Sequence, residues 1–122
     1  MARGQFGQHR SGVRPLGDGA PIGHQGGRIA AFAESHKREP VIYTMASGTN
    51  HAIAYSQAIC IFQEMQWIHS AAIHAGEFFH GPFEITDFDV PFIILRGLGA
   101  SRPMDDRAIA FAQQFSQRLT VL

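Results

Sequence analysis

Val41-Ile42-Tyr43-Thr44-Met45-Ala46-Ser47-Gly48-Thr49-Asn50 decides the fold. Val41 to Met45 is a β-branched, aromatic and apolar run between Pro40 and a small-residue turn, so it reads as a strand. Residues 51–68 then read as a nearly all-apolar helix, with Asn50 as its N-cap. Strand, small polar turn and helix form the first half of a βαβ unit, the building block of a parallel sheet. Backbone amides at such a helix start can hold an anion, although Ser-Gly-Thr is equally an ordinary turn.

Reading forward, Ser70 to Ala75 is short and small-residued, with the look of an edge strand. Gly81-Pro82 breaks whatever helix runs over Glu77 to Ile85, leaving a turn of helix on either side. Val90 to Leu95 is a further apolar strand, followed by a loop containing Gly97 and Gly99. Pro103 suits the first turn of a helix over residues 103–117, with Met104, Ala108, Phe111 and Phe115 facing inward. Leu119 to Leu122 starts another strand. A parallel strand normally feeds an element that covers the sheet, so the chain is expected to be a piece of a larger protein.

Reading backward, Arg28 to Lys37 forms a short helix with Ile29, Ala30, Phe32 and Ala33 on its apolar face. Residues 1–27 hold most of the chain's 13 glycines, have no hydrophobic period, and read as a flexible arm. The expected organisation is therefore an arm, 1–27, and one partial α/β domain, 28–122.

Composition sets limits on function. The 122 residues carry no net charge, and only 16% are charged, against about 25% in ordinary soluble domains. With 45% apolar residues, much surface expects cover from another domain or subunit, which makes a homo-oligomer the expected state. No basic stripe suits a nucleic acid. No apolar run nears the roughly 20 residues that span a membrane, and no secretory signal opens the chain, so a cytoplasmic protein is expected. Cys60 is the single cysteine. It excludes an intrachain disulfide and a cysteine metal cluster, and its place in the apolar helix suggests a buried, inert thiol.

Two residues stand out chemically. Glu64 has Cys60, Ile61, Trp67 and Ile68 at helical spacing around it, surroundings that would desolvate a carboxylate and suit it to abstract a proton. A carboxylate hydrogen-bonded at a domain seam fits the same spacing. His80 precedes Gly81-Pro82, where a turn displays a side chain that can exchange protons near neutral pH, or is simply a structural histidine. Glu77-x-x-His80 also has the spacing of di-iron bundles, with His69, His74 and Glu84 nearby. Such bundles need the motif twice on long helices, and here it occurs once beside a break, so no metal is expected.

Glu64-Met65-Gln66-Trp67-Ile68-His69-Ser70, followed by Gly76-Glu77-Phe78-Phe79-His80-Gly81-Pro82-Phe83-Glu84-Ile85, resembles the sugar isomerase (SIS) domain. The likeness runs from about Arg28 to Leu122 and is strongest to deglycases that split 6-phosphofructosamines. The isomerase half of glucosamine-6-phosphate synthase is a more distant likeness. The resemblance implies a three-layer αβα sandwich with a parallel sheet, of which this chain would be most of the second of two SIS halves. It implies Glu64 as catalytic base, His80 as the residue assisting at the sugar ring, and no cofactor. It also implies a sugar 6-phosphate substrate, and sites commonly completed by a second subunit. The family's phosphate loop belongs mainly to the first SIS half. In this chain only Ser47, Thr49 and Asn50 could serve in its place, with Glu77 as a further substrate contact. A non-catalytic phosphosugar-binding module and an aldose–ketose isomerase or aminotransferase-type SIS domain are the alternatives.

Overall fold

The computed structural model describes residues 23–122. The expected arm therefore lies outside the described residues, except for its last few positions. Two compact units divide the chain, one ending at Glu39 and the other running Pro40–Leu122. In the first, α1 spans Gly23–His36 and so begins earlier than expected. Its last turn is closed by His36, whose ring stacks on Phe32 with centroids 4.0 Å apart, and by a Glu34–Lys37 ion pair.

The second unit is a four-stranded parallel sheet in the order β2–β1–β3–β4. Its strands are β1, Val41–Ala46; β2, His69–His74; β3, Phe92–Leu95; and β4, Leu119–Val121. β1 is paired on both sides, matching Val41 to His69 on β2 and Tyr43 to Phe92 on β3. The strand at 69–74 is at an edge, as its small residues suggest. The sheet has four strands because this one counts as a full member.

Side chains alternate across β1 and define two layers of cover. On one face, Thr44 donates its hydroxyl to the Ala54 carbonyl at 2.8 Å. Ala54 belongs to α2, Asn50–Ser56. On the other face, Met45 joins Ile73, Ala75, Phe78, Phe92, Ile94, Ala108 and Ala112 in the core cluster. Ala108 and Ala112 come from α3, Arg102–Phe115. Helix, parallel sheet, helix is the three-layer αβα arrangement.

Three expectations are corrected here. The helix over 51–68 is α-helical only to Ser56, continues as a π-helix over Gln57–Met65, and is preceded by Thr49 rather than capped by Asn50. Its buried stripe is Ala54, Ala58 and Phe62, so Cys60 faces outward as a free, exposed thiol. In α3 the buried residues are Asp105, Ala108 and Ala112, while Met104 and Phe115 are 40% and 49% exposed. The stripe shifts because Asp105 turns inward to accept the Gly97 N–H at 2.9 Å. Among the described residues no helix is long and apolar enough to cross a membrane.

Candidate active site

All four strands run the same way, so the segments leaving them gather at one edge of the sheet, where open α/β folds carry their ligands. Ser47–Asn50 leaves β1, Ala75–Pro82 leaves β2, and the loop of Gly97 and Gly99 leaves β3.

The segment after β2 is built around Phe78, which is fully buried. Its ring meets those of Phe79, Phe92 and Phe111 near perpendicular, with centroids 5.0, 6.4 and 5.7 Å away. That anchor sets a 3-10 turn over Phe78–His80, closed by the His80 N–H donating to the Glu77 carbonyl at 2.9 Å. The Arg107 guanidinium covers the outer face of Phe79, 4.1 Å from its centroid. Gly81 follows at φ 147, a conformation open to glycine. Pro82 then opens a second 3-10 turn, Pro82–Ile85. With Phe78 held inside, Glu77 and His80 on either side of the anchor are exposed.

Glu64 is placed differently from its sequence expectation. It is exposed, because the buried stripe runs through Ala58 and Phe62, two residues off the side that Glu64 occupies. It lies in the last turn before β2, where neighbouring Gln63 donates its amide to the Ser70 carbonyl. Gln63, Trp67, Ile68, His69 and Ser70 line a shallow hollow of about 290 Å³ there. Trp67 takes a left-handed backbone, φ 56, uncommon for a bulky side chain. Glu64 thus precedes β2 and His80 follows it. Six strand residues intervene, roughly 17 Å at about 3.3 Å per step, so the chain does not bring the two together.

Nor are the four loop residues a displayed cradle. Ser47 is buried and donates its hydroxyl to the Ser101 carbonyl at 3.1 Å. Gly48 is left-handed, φ 57, and a Cβ there would stand 2.6 Å from Ser101 Oγ. Thr49 is exposed and Asn50 half-buried. Beside them Asp105 is fully buried: one carboxylate oxygen takes the Gly97 N–H, and the other has no protein partner. Sequence reading missed Ser101 and Asp105. Their only signal was a polar residue and an acid flanking Pro103 at the start of a helix.

No protein-family model matches the chain. A solved Bacillus subtilis structure described as a phosphosugar isomerase superposes with a TM-score of 0.74 at 61% identity, over 75% of this chain and 28% of that one. The C-terminal domain of glucosamine-fructose-6-phosphate aminotransferase from Francisella tularensis follows the same fold, with a TM-score of 0.68 at 19% identity, over 75% of this chain and 25% of that one. The chain therefore has, in part, the fold of the SIS phosphosugar isomerases.

Its close homologues are more specific. Fructosamine deglycase FrlB of Bacillus subtilis is 62% identical over 91 residues, covering 75% of this chain and 28% of the relative. The fructoselysine 6-phosphate deglycase of Escherichia coli is 40% identical over 83 residues, covering 68% of this chain and 24% of that enzyme. The chain is homologous to the fructosamine deglycases and spans about a quarter of their length.

Proposed function

We propose that this chain is the base- and histidine-bearing part of a 6-phosphofructosamine deglycase. The observation that carries the reading is the Gly76–Pro82 turn, pinned by Phe78 so that His80 is displayed at the ligand-bearing edge, in a chain homologous to deglycases.

The chemistry follows from the substrate class. A ketosamine has an amine on C1 and a masked carbonyl at C2. His80 aids ring opening by exchanging a proton with the ring oxygen and the C2 hydroxyl. Glu64 removes a proton from C1 while O2 takes one up, giving an enaminol, and then returns its proton to C2 as the amine nitrogen gives up its own, leaving the C1 imine. Water then adds to the imine and the amine leaves, yielding glucose 6-phosphate. Glu77, exposed beside the same turn, contacts the substrate. Thr49 and Asn50 remain the loop's candidates for such contacts, whereas Ser47 spends its hydroxyl inside the fold.

A base exposed at one end of β2 and a histidine displayed at the other call for cover and completion from outside this segment, by a second copy or by the rest of a longer chain. A second copy related by a twofold axis would supply each site with Glu64 from one subunit and His80 from the other.

The test is release of glucose 6-phosphate from a 6-phosphofructosamine, with Glu64→Gln as control. Turnover should disappear in the control, and turnover that survives it removes Glu64 as base. If sites are shared between two copies, mixing Glu64→Gln with His80→Ala restores about a quarter of the wild-type rate, since half of randomly formed dimers are mixed and each holds one intact site. A non-catalytic phosphosugar-binding module would instead bind glucose 6-phosphate saturably, release none, and be indifferent to Glu64→Gln.

A further inference from the structure

The turn that displays His80 is fastened at its start by a side chain outside it. The Gly76 N–H donates to Nδ1 of His74 at 3.0 Å, an acceptor two residues back. That is how an Asn or Asp side chain closes an Asx turn. The next amide, Glu77 N–H, donates to the His74 carbonyl at 2.9 Å, so one residue at the end of β2 receives two amides of the departing chain. The His74 ring is itself held: the His51 ring packs edge-on against it, with centroids 5.0 Å apart. Gly76 is confined from two sides, since a Cβ there would stand 3.0 Å from His74 Nδ1 and 3.2 Å from Met104 Sδ. An Nδ1 that accepts a hydrogen bond leaves the neutral ring's proton on Nε2.

We infer that His74 is a positioning residue for His80. By accepting the Gly76 N–H it fixes where the chain leaves β2 and hence the register of the 3-10 turn, so that Phe78 points into the core and His80 outward. A role for His80 in turnover rests on the proposed function, whereas the fastening of the turn does not.

The experiment compares wild type with His74→Asn, which keeps an acceptor at the same reach, and with His74→Leu and His74→Ala, which have none. Two variants without an acceptor guard against one failing to fold. Amide hydrogen exchange at Gly76 and the NMR signals of the His80 ring are read in each. Without the acceptor, Gly76 should exchange roughly five- to tenfold faster and the His80 signals should shift or broaden, with both restored in His74→Asn. Unchanged Gly76 exchange in the folded Leu or Ala variant overturns the inference, and so does failure of His74→Asn to rescue. Both readouts are structural, so they decide the matter even for a chain that turns nothing over. Where turnover is measured, the Leu and Ala variants should lower kcat far more than they change KM, with recovery in His74→Asn.

Discussion

Replacing Phe78 with Leu tests whether the display of His80 is anchored in the core. Phe78 is 0% exposed, and its ring makes near-perpendicular contacts with Phe79, Phe92 and Phe111 at interplanar angles of 74°, 78° and 76°. Leucine keeps an apolar side chain there but forfeits all three aromatic pairs, each worth about 0.5–1.5 kcal/mol beyond the area it buries. Pairs sharing a ring are not independent, so the expected cost is about 2–3 kcal/mol rather than the full sum. The Pro40–Leu122 unit should be stable by about 4–12 kcal/mol at 0.05–0.15 kcal/mol per residue, so the variant folds with much of its margin gone. Phe88→Leu is the matched control, because Phe88 is 60% exposed and its substitution should stay within about 0.5 kcal/mol. Urea unfolding followed by far-UV circular dichroism should show the midpoint of Phe78→Leu falling by about 2–3 M, for a slope of about 1 kcal/mol per molar. The Phe88 variant should barely move. A Phe78→Leu midpoint within error of the Phe88→Leu midpoint would refute the packing account, and with it the claim that the core sets the direction of His80.

Two further perturbations probe the same edge of the sheet. Gly48→Ala must place a Cβ at φ 57 and 2.6 Å from Ser101 Oγ, so it should cost about 1–3 kcal/mol, whereas Gly99→Ala, with nothing within 4 Å, should be near neutral in the same thermal melt. A Gly48→Ala protein as stable as Gly99→Ala would contradict the close approach of the two loops. Asp106 is held below the usual carboxylate range, chiefly by its hydrogen bond from Arg96 and also by the charges of Arg96 and Arg102. A lowered folded-state pKa adds stability that is present above the ordinary value of about 3.9 and lost as pH falls through the folded one. Asp106→Asn should therefore melt slightly below wild type at pH 7, a small effect for an exposed pair, and the gap should close below about pH 4. A gap that is as wide at pH 3 as at pH 7 would mean the ion pair contributes nothing.

The sequence carried the parallel αβα architecture because its strands are short apolar runs bounded by Pro40, Gly and Asp turns, which is local information. It also carried the Gly81-Pro82 break with a helical turn on each side, since proline and glycine restrict the backbone wherever they stand. Of the inward face of α3 it carried half, since Ala108 is buried and Phe111 packs against the core while Met104 and Phe115 are exposed. Met104, Ala108, Phe111 and Phe115 satisfy a helical period, yet the buried set begins at Asp105 because the Gly97 N–H needs an acceptor. That requirement arises only once β3 and α3 are side by side, and periodicity has no knowledge of it.

Glu64 shows the same limit where it matters for function. Helical spacing surrounds it with Cys60, Ile61, Trp67 and Ile68, and an α-helix would carry some of these to one face. The π-helix bonds each amide five residues back instead of four, as in the Gln66 N–H donating to the Ile61 carbonyl at 3.0 Å, and its buried stripe runs Ala54, Ala58 and Phe62, which leaves Cys60 and Glu64 two residues off that stripe. Cys60 and Glu64 consequently face outward, together with Met65 at 59% exposure. Farther back on the same segment, Ile53 and Tyr55 are 60% and 58% exposed. Apolar side chains along an element that also bears a candidate base describe a surface awaiting cover more than a solvent face. If that cover excludes water from Glu64, the desolvation expected from the sequence would be supplied by the assembly and not by the helix. The reactivity of Glu64 would then be a property of the assembled protein, and Ile53→Asp, which charges the exposed surface of the same segment away from the base, should weaken assembly and turnover together. Turnover lost with assembly intact would place the defect in the site itself and sink this account.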